Sequence, residues 1–246
     1  MNTVFIFFKI IYNYIGVDTM AKRIYLLSGA DDLLHLPFNN EVREMLKNDL
    51  KGAQNLVSIG AKREYEKNDI YFNGNEKSLG TLKTFQFSDL KYFNLIDGRT
   101  SKEDGLKLLE QADIIYLQGG DPFVQLEYIK SNKYDIFLKN YKGIILGLSA
   151  GTMNLGNIGF YSKDEDYPQT IFYEALGLTD LTIDPHFDIN DDERVKEALQ
   201  GSLKHKIIGL PDYSALVVSD NDVIDYFGAN YVFENGKKIE NNIKIK

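Results

Sequence analysis

Apolar residues fall into short runs that alternate with longer amphipathic stretches along most of the chain. Arg23–Leu27, apolar after its arginine, runs into Ser28-Gly29-Ala30, which predicts a strand with a glycine turn at its carboxyl end. Val42, Met45, Leu46 and Leu50 recur at helical spacing over residues 40–50. Asn55–Ile59 and Tyr92–Ile96 read as strands, the polar stretch 62–81 as helix in part, and Lys102–Gln111 as a helix. Residues 113–117 form an unbroken apolar run after Asp113, the mark of a strand buried on both faces. Helices over 123–129 and Tyr134–Asn140 lead to a strand at 143–146. A short strand at 181–183, a helix over 192–203 and a strand at Ile207–Leu210 follow. The tail segments 215–218, 223–227 and Tyr231–Glu234, with turn pairs Asn221-Asp222 and Asn235-Gly236, predict antiparallel hairpins. Strands alternating with helices predict parallel βαβ units, hence an α/β class with a helix-flanked parallel sheet.

The first twenty residues break this rhythm. Residues 4–12 are apolar and aromatic, but Lys9 interrupts them and the run is too short to span a bilayer. Met20 directly precedes the first predicted strand, so residues 1–20 are expected to be an extension outside the core. Residues 21–246 are expected to form one α/β domain, a size that a single core supports. Cysteine is absent, which excludes a disulfide framework, a thiolate metal site and a cysteine nucleophile. That usage suits a cytoplasmic protein. A net charge of −8 without a basic stripe argues against nucleic acid as a partner. The three histidines, His35, His186 and His205, show no metal-ligand spacing, so neither metal nor cofactor is expected. No membrane partner is expected either, and a homodimer is compatible with the chain.

The segment that carries chemistry is Gly147-Leu148-Ser149-Ala150-Gly151, directly after the strand at 143–146. Gly-x-Ser-x-Gly between a strand and a helix is the pattern of a nucleophile elbow, a sharp turn that lifts one hydroxyl clear of the backbone. A serine there needs a base, because its free hydroxyl is a poor nucleophile. His186, in Ile183-Asp184-Pro185-His186-Phe187-Asp188, follows a short strand, and α/β sites collect at strand carboxyl ends. His205 lies in a charged Lys-His-Lys helix end, and nothing local singles out His35. The carboxylate that would orient the imidazole has several candidates, among them Asp164, Glu165, Asp166, Asp184, Asp188 and Asp212, and no local pattern selects one. Gln118-Gly119-Gly120-Asp121-Pro122 follows the buried strand and offers bare glycine backbone. The N–H groups of Gly120 and Ala150 are therefore the expected oxyanion donors, with Gly119 and Asp121 near the substrate.

The order Gly-Gly-x-x-Phe at 119–123, Gly-x-Ser-Ala-Gly at 147–151, Pro-His-Phe at 185–187 and Gly-Leu-Pro-Asp at 209–212 resembles the dipeptidase E (aspartyl dipeptidase) family of serine peptidases. The resemblance spans residues 23–231 and implies the flavodoxin-like fold of class I glutamine amidotransferases. It also implies a serine peptidase acting on short peptides, with Ser149 as nucleophile and His186 as base. Ungapped spacing places the family's triad aspartate on Asp164, although Asp166-Tyr167-Pro168 carries that residue's local context shifted by two. A further acidic position of the family matches Asp212. Members carry Gly-Gly-Asn-Thr-Phe where this chain has Gly119-Gly120-Asp121-Pro122-Phe123. Their substrate-reading arginine aligns near Asp191, with Arg194 as its neighbour here. Such a pocket suits a basic or free amino group. The alternatives are a cyanophycinase-like hydrolase and a non-catalytic binding protein on the same scaffold.

Overall fold

The computed structural model describes residues 22–29, 40–74, 80–85 and 88–239. The extension predicted over residues 1–20, and His35, lie outside the described residues. Five parallel strands, β1 (Arg23–Leu27), β2 (Asn55–Ile59), β3 (Tyr92–Ile96), β4 (Ile114–Leu117) and β5 (Ile144–Leu148), stand in the spatial order β1-β5-β4-β2-β3. The chain alternates them with α1 (Asn40–Asp49), α2 (Tyr65–Asn73), α3 (Thr81–Thr84), α4 (Lys102–Gln111), α5 (Pro122–Ser131) and α6 (Tyr134–Asn140). Side chains alternate between the two faces of each strand. Ile24, Leu26, Ile115, Leu117 and Ile145 therefore enter one core, while Tyr25, Leu27, Ile114, Tyr116, Ile144 and Leu146 enter the other. Both faces are covered, which is why these strands read as unbroken apolar runs.

After β5 come α7 (Ala150–Leu155), β6 (Ile158–Tyr161), β7 (Ile171–Glu174), β8 (Thr182–Pro185), α8 (Asp192–Gly201) and β9 (Ile207–Leu210). The tail holds β10 (Ala215–Ser219), β11 (Asp222–Phe227), β12 (Tyr231–Glu234) and β13 (Lys237–Ile239). β10 pairs antiparallel with β1 and β11 with β10, extending the large sheet to seven strands. β8 and β9 pair in parallel, Thr182 opposite Ile207 and Pro185 opposite Leu210, inside a separate four-stranded sheet ordered β13-β12-β9-β8. Phe160, Phe187, Ala198, Ile207 and Phe233 give that sheet its own small core. The architecture is thus mixed α/β, with a large, mainly parallel sheet flanked by helices and antiparallel strands toward the C-terminus.

Three details differ from the sequence pattern. The expected tail hairpins divide between two sheets: β10–β11 joins the large one, and β12–β13 the small one. The first tail turn is Asp220-Asn221, one residue earlier than predicted. Asp220 and Asn221, like Asn235 and Gly236 in the second turn, all have positive φ (49°, 67°, 53° and 73°), as two-residue turns of type I′ demand. The β6–β7 hairpin is not predicted, because each strand is only four residues long and an acidic loop separates them. Gly159 lets it close, since a Cβ there would fall 2.1 Å from Cζ of Tyr173.

Candidate active site

Ser149 leaves the end of β5 at φ 51° and ψ −109°, a conformation that costs a non-glycine residue about 1–3 kcal/mol. Close backbone packing imposes this bend. A Cβ on Gly147 would sit 2.7 Å from the carbonyl carbon of Gly151, and one on Gly151 would sit 2.3 Å from the Leu117 oxygen. Backbone cannot retreat as a side chain can, so both positions need glycine. The Ser149 N–H donates to the carbonyls of Leu27 and Ser28, each at 3.0 Å. In the first turn of α7 the buried Thr152 hydroxyl lies 2.7 Å from both Leu27 O and Gly147 O and accepts from the Leu27 N–H at 2.9 Å. The elbow is thereby tied to β1 as well as to its own strand.

His186 arrives from the other sheet, directly after β8, at φ 55°. Ser28, fully buried at the end of β1, bridges the two sheets. Its hydroxyl accepts from the His186 N–H at 2.8 Å and donates to Leu210 O at 2.8 Å. The imidazole Nε2 lies 2.8 Å from Ser149 Oγ, and Nδ1 lies 2.6 Å from Oδ1 of Asp212, two residues beyond the end of β9. An ionised carboxylate only accepts, so the proton sits on Nδ1 and leaves Nε2 free to accept from the serine hydroxyl. The sequence order Ser–His–Asp becomes a continuous hydrogen-bonded line because β8 and β9 are parallel neighbours ending side by side.

Asp164 does not take the orienting place that the family spacing assigns to it. It lies between β6 and β7, where its carboxylate accepts from the Tyr161 hydroxyl at 2.5 Å and from the Tyr167 N–H at 2.8 Å. Burial, then the Asp164 carboxylate, pushes the Tyr161 phenol up, so it stays a neutral donor. Asp121, expected near the substrate, caps α5 instead: one oxygen accepts from the N–H groups of Phe123 and Val124, the other from the Tyr167 hydroxyl. Arg194 is likewise committed. Its guanidinium holds both oxygens of the buried Asp184, at 3.1 and 2.5 Å, and donates to Pro185 O at 2.7 Å. Burial pushes the Asp184 carboxyl up, and the guanidinium pulls it back. The pair anchors the end of β8 immediately before His186. His205 packs its ring on Phe172, remote from the line.

A cavity of about 120 Å³ opens beside the serine. Ser149, Ala150, Gly120 and His186 line it together with Tyr161, Asp164, Asp184 and Arg194. Gly120 has φ 143°, and a Cβ there would meet Ala61 at 3.0 Å. Gly119 packs against the elbow, its ideal Cβ position 3.5 Å from Ser149 Cβ. A larger cavity, about 560 Å³, lies at the opposite end of the large sheet among Lys51, Glu110, Asp113 and Lys142, with neither serine nor histidine in its lining. The candidate site is thus picked out by the Ser149–His186–Asp212 line and not by cavity size. Among the described residues no three His, Cys, Asp or Glu side chains are grouped to hold a metal ion, and no helix is long and apolar enough to cross a membrane.

Sequence patterns alone do not reveal the parts played by Ser28 and Gly29. A Cβ on Gly29 would lie 2.1 Å from Cε1 of His186 and 2.9 Å from Oδ1 of Asp212, so that glycine makes room for the imidazole and its carboxylate. The signal for them is position: Ser28-Gly29 ends β1, and β1 pairs directly with the strand that feeds the elbow.

No curated protein matches the chain. Among solved structures, a peptidase from an acI-B1 Actinobacterium is 17% identical, with a TM-score of 0.58 over 90% of this chain and 97% of the other. A candidate peptidase E from Listeria monocytogenes EGD-e is 18% identical, with a TM-score of 0.60 over 83% and 97%. At such identities the likeness speaks for the fold. The model of peptidase family S51 matches residues 26–225, a span that contains Ser149, His186 and Asp212, and the chain belongs to that family.

Proposed function

We propose that this peptidase is serine-type and cleaves short peptides. Ser149 Oγ attacks the scissile carbonyl while His186 Nε2 takes its proton. The N–H groups of Gly120 and Ala150, both on the cavity wall, stabilise the tetrahedral oxyanion; one such donor is worth about 10²–10³ in rate. His186 then passes the proton to the leaving amine, and water hydrolyses the acyl-enzyme by the same route in reverse. Asp212 keeps the imidazole in the tautomer that accepts at Nε2 and stabilises the cation formed during attack.

The observation that carries this reading is the unbroken hydrogen-bonded line from Ser149 through His186 to Asp212. A cavity of about 120 Å³, against the ~300–1,000 Å³ of ordinary ligand clefts, favours a terminal residue over a long chain. The test is labelling with a fluorophosphonate together with dipeptide hydrolysis. Wild type is expected to label once, at Ser149, and Ser149→Ala to lose both the label and at least ~10³-fold of turnover. Wild-type turnover in Ser149→Ala, or a label on another residue, refutes the mechanism.

A further inference from the structure

We infer that Ser28 is a positioning residue, and that its hydroxyl sets the distance at which His186 meets Ser149. The inference rests on the serine mechanism above and adds to it how the two side chains are held in register.

Backbone strain leads to it. Among the described residues seven non-glycine residues have positive φ. Asp220, Asn221 and Asn235 sit in hairpin turns, where such angles are expected, and Lys133 opens α6. The other three are Ser149 (51°), His186 (55°) and Tyr213 (63°), the last directly after Asp212. Left-handed backbone at such residues persists only where the surroundings over-determine it. Here all three strained N–H groups donate to one dipeptide. The Ser149 N–H reaches Ser28 O at 3.0 Å, the His186 N–H reaches Ser28 Oγ at 2.8 Å, and the Tyr213 N–H reaches Gly29 O at 2.7 Å. Three segments from distant parts of the chain thus take their position from the end of β1.

The end of β1 serves as this reference because it is itself fixed. β1 is paired on both sides, with β5 and β10, and the Ser28 N–H donates to Ser214 O at 3.0 Å. The contacts to Ser149 and Tyr213 use backbone carbonyls, which any residue supplies. The contact to His186 needs the side chain. A hydroxyl donates once and accepts twice, and that of Ser28 donates to Leu210 O while accepting from the His186 N–H. It therefore ties His186 to the end of β9, from which Asp212 follows. Alanine removes both bonds without adding an atom, and the strained His186 backbone can then relax. The Ser149 N–H keeps its carbonyl partners. The expected result is Ser149 in place and the imidazole displaced.

The experiment sets Ser28→Ala beside Ser202→Ala. Ser202 is a matched control at the far end of α8 from Arg194: its hydroxyl, also buried, donates to Leu199 O at 2.8 Å and accepts from the Gly236 N–H at 3.0 Å. Each variant loses one doubly bonded hydroxyl, so both should lower Tm. The rate constant of fluorophosphonate labelling separates them, because unfolding reduces the amount labelled and not the rate at which folded molecules react. Ser28→Ala should label about 10²-fold more slowly and lose about the same factor in dipeptide kcat, with KM within about threefold of wild type. Ser202→Ala should label and turn over as wild type does. Labelling of Ser28→Ala at the wild-type rate overturns the inference and leaves the serine mechanism standing. Equal slowing in Ser202→Ala also overturns it, since the loss would then follow from destabilisation alone. So does a raised KM with kcat unchanged. Should Ser28→Ala fail to fold, Ser28→Cys keeps the shape with a weaker donor and acceptor, and is expected to slow labelling about tenfold; labelling at the wild-type rate there overturns the inference instead. If wild type itself fails to label, the serine mechanism falls and takes this inference with it.

Discussion

Ser149 leaves a strand deep in the seven-stranded sheet, whereas His186 and Asp212 leave two strands of a four-stranded sheet built later in the chain. The serine half is held by sterics among near neighbours: Gly147, Gly151 and Thr152 all lie within three residues of Ser149. The imidazole half is held by partners far away in sequence. His186 and Asp212 are 26 positions apart, and Ser28 reaches His186 across 158. One half is therefore rigid through local packing, while the other depends on strand register and a few buried polar links. Substitutions in the second half should separate catalysis from folding more cleanly than any in the first.

The largest effect is expected at Asp212. Asp212→Asn replaces a pure acceptor by an amide whose N–H₂ can donate to Nδ1, favouring the tautomer that carries its proton on Nε2. Such a tautomer cannot take the Ser149 proton, and kcat should fall by about 10³–10⁴ with little change in Tm. Steady-state kinetics beside a melting curve check this. Activity within tenfold of wild type would mean that strand register, not this carboxylate, orients the ring.

The same contrast explains how much of the molecule is legible in its sequence. The elbow is recognisable because its cause is compressed into five residues, and the alternating strands and helices because both faces of the large sheet are apolar. The carboxylate that meets the imidazole is not, since six acidic residues fit the order and only the parallel pairing of β8 with β9 puts one of them against Nδ1. The family resemblance favours Asp164, which does line the cavity, but there it accepts from the Tyr161 hydroxyl. Arg194 and Asp121 look available because a sequence shows charges and not their partners. In the fold one neutralises Asp184 and the other caps α5. The β6–β7 hairpin stays hidden because a glycine inside a four-residue strand weakens the pattern while fitting the Tyr173 ring.

A second, smaller effect tests the anchor beneath His186. Arg194→Met leaves the Asp184 carboxylate buried without its guanidinium, and removing one partner of a buried pair typically costs about 3–5 kcal/mol. Arg194 is partly exposed, so the lower end, ~3 kcal/mol, is expected in urea unfolding. The double variant Asp184→Leu/Arg194→Met should recover most of it, because no charge is then left unpaired. A single-variant loss below about 1 kcal/mol would show that the end of β8 is fixed by strand pairing alone.

The smallest expected effect falls where the two halves meet. Gly29 belongs to β1 of the large sheet by position, yet its open face receives the imidazole and carboxylate of the small one. Gly29→Ala adds a methyl 2.1 Å from His186 Cε1 and 2.9 Å from the Asp212 oxygen, distances that no real contact sustains. The β1 backbone is locked between β5 and β10 and cannot yield. The imidazole, about half exposed, can swing toward solvent instead. A shift near 1 Å breaks the line to Ser149, and misplacement of that size costs about 10²-fold. The loss should appear equally in kcat and in the rate of fluorophosphonate labelling, with Tm nearly unchanged because a half-exposed ring buries little surface. If Gly29→Ala instead lowers Tm sharply while the surviving folded fraction labels at the wild-type rate, the methyl has been absorbed by the sheet, and the serine half is the more pliable of the two.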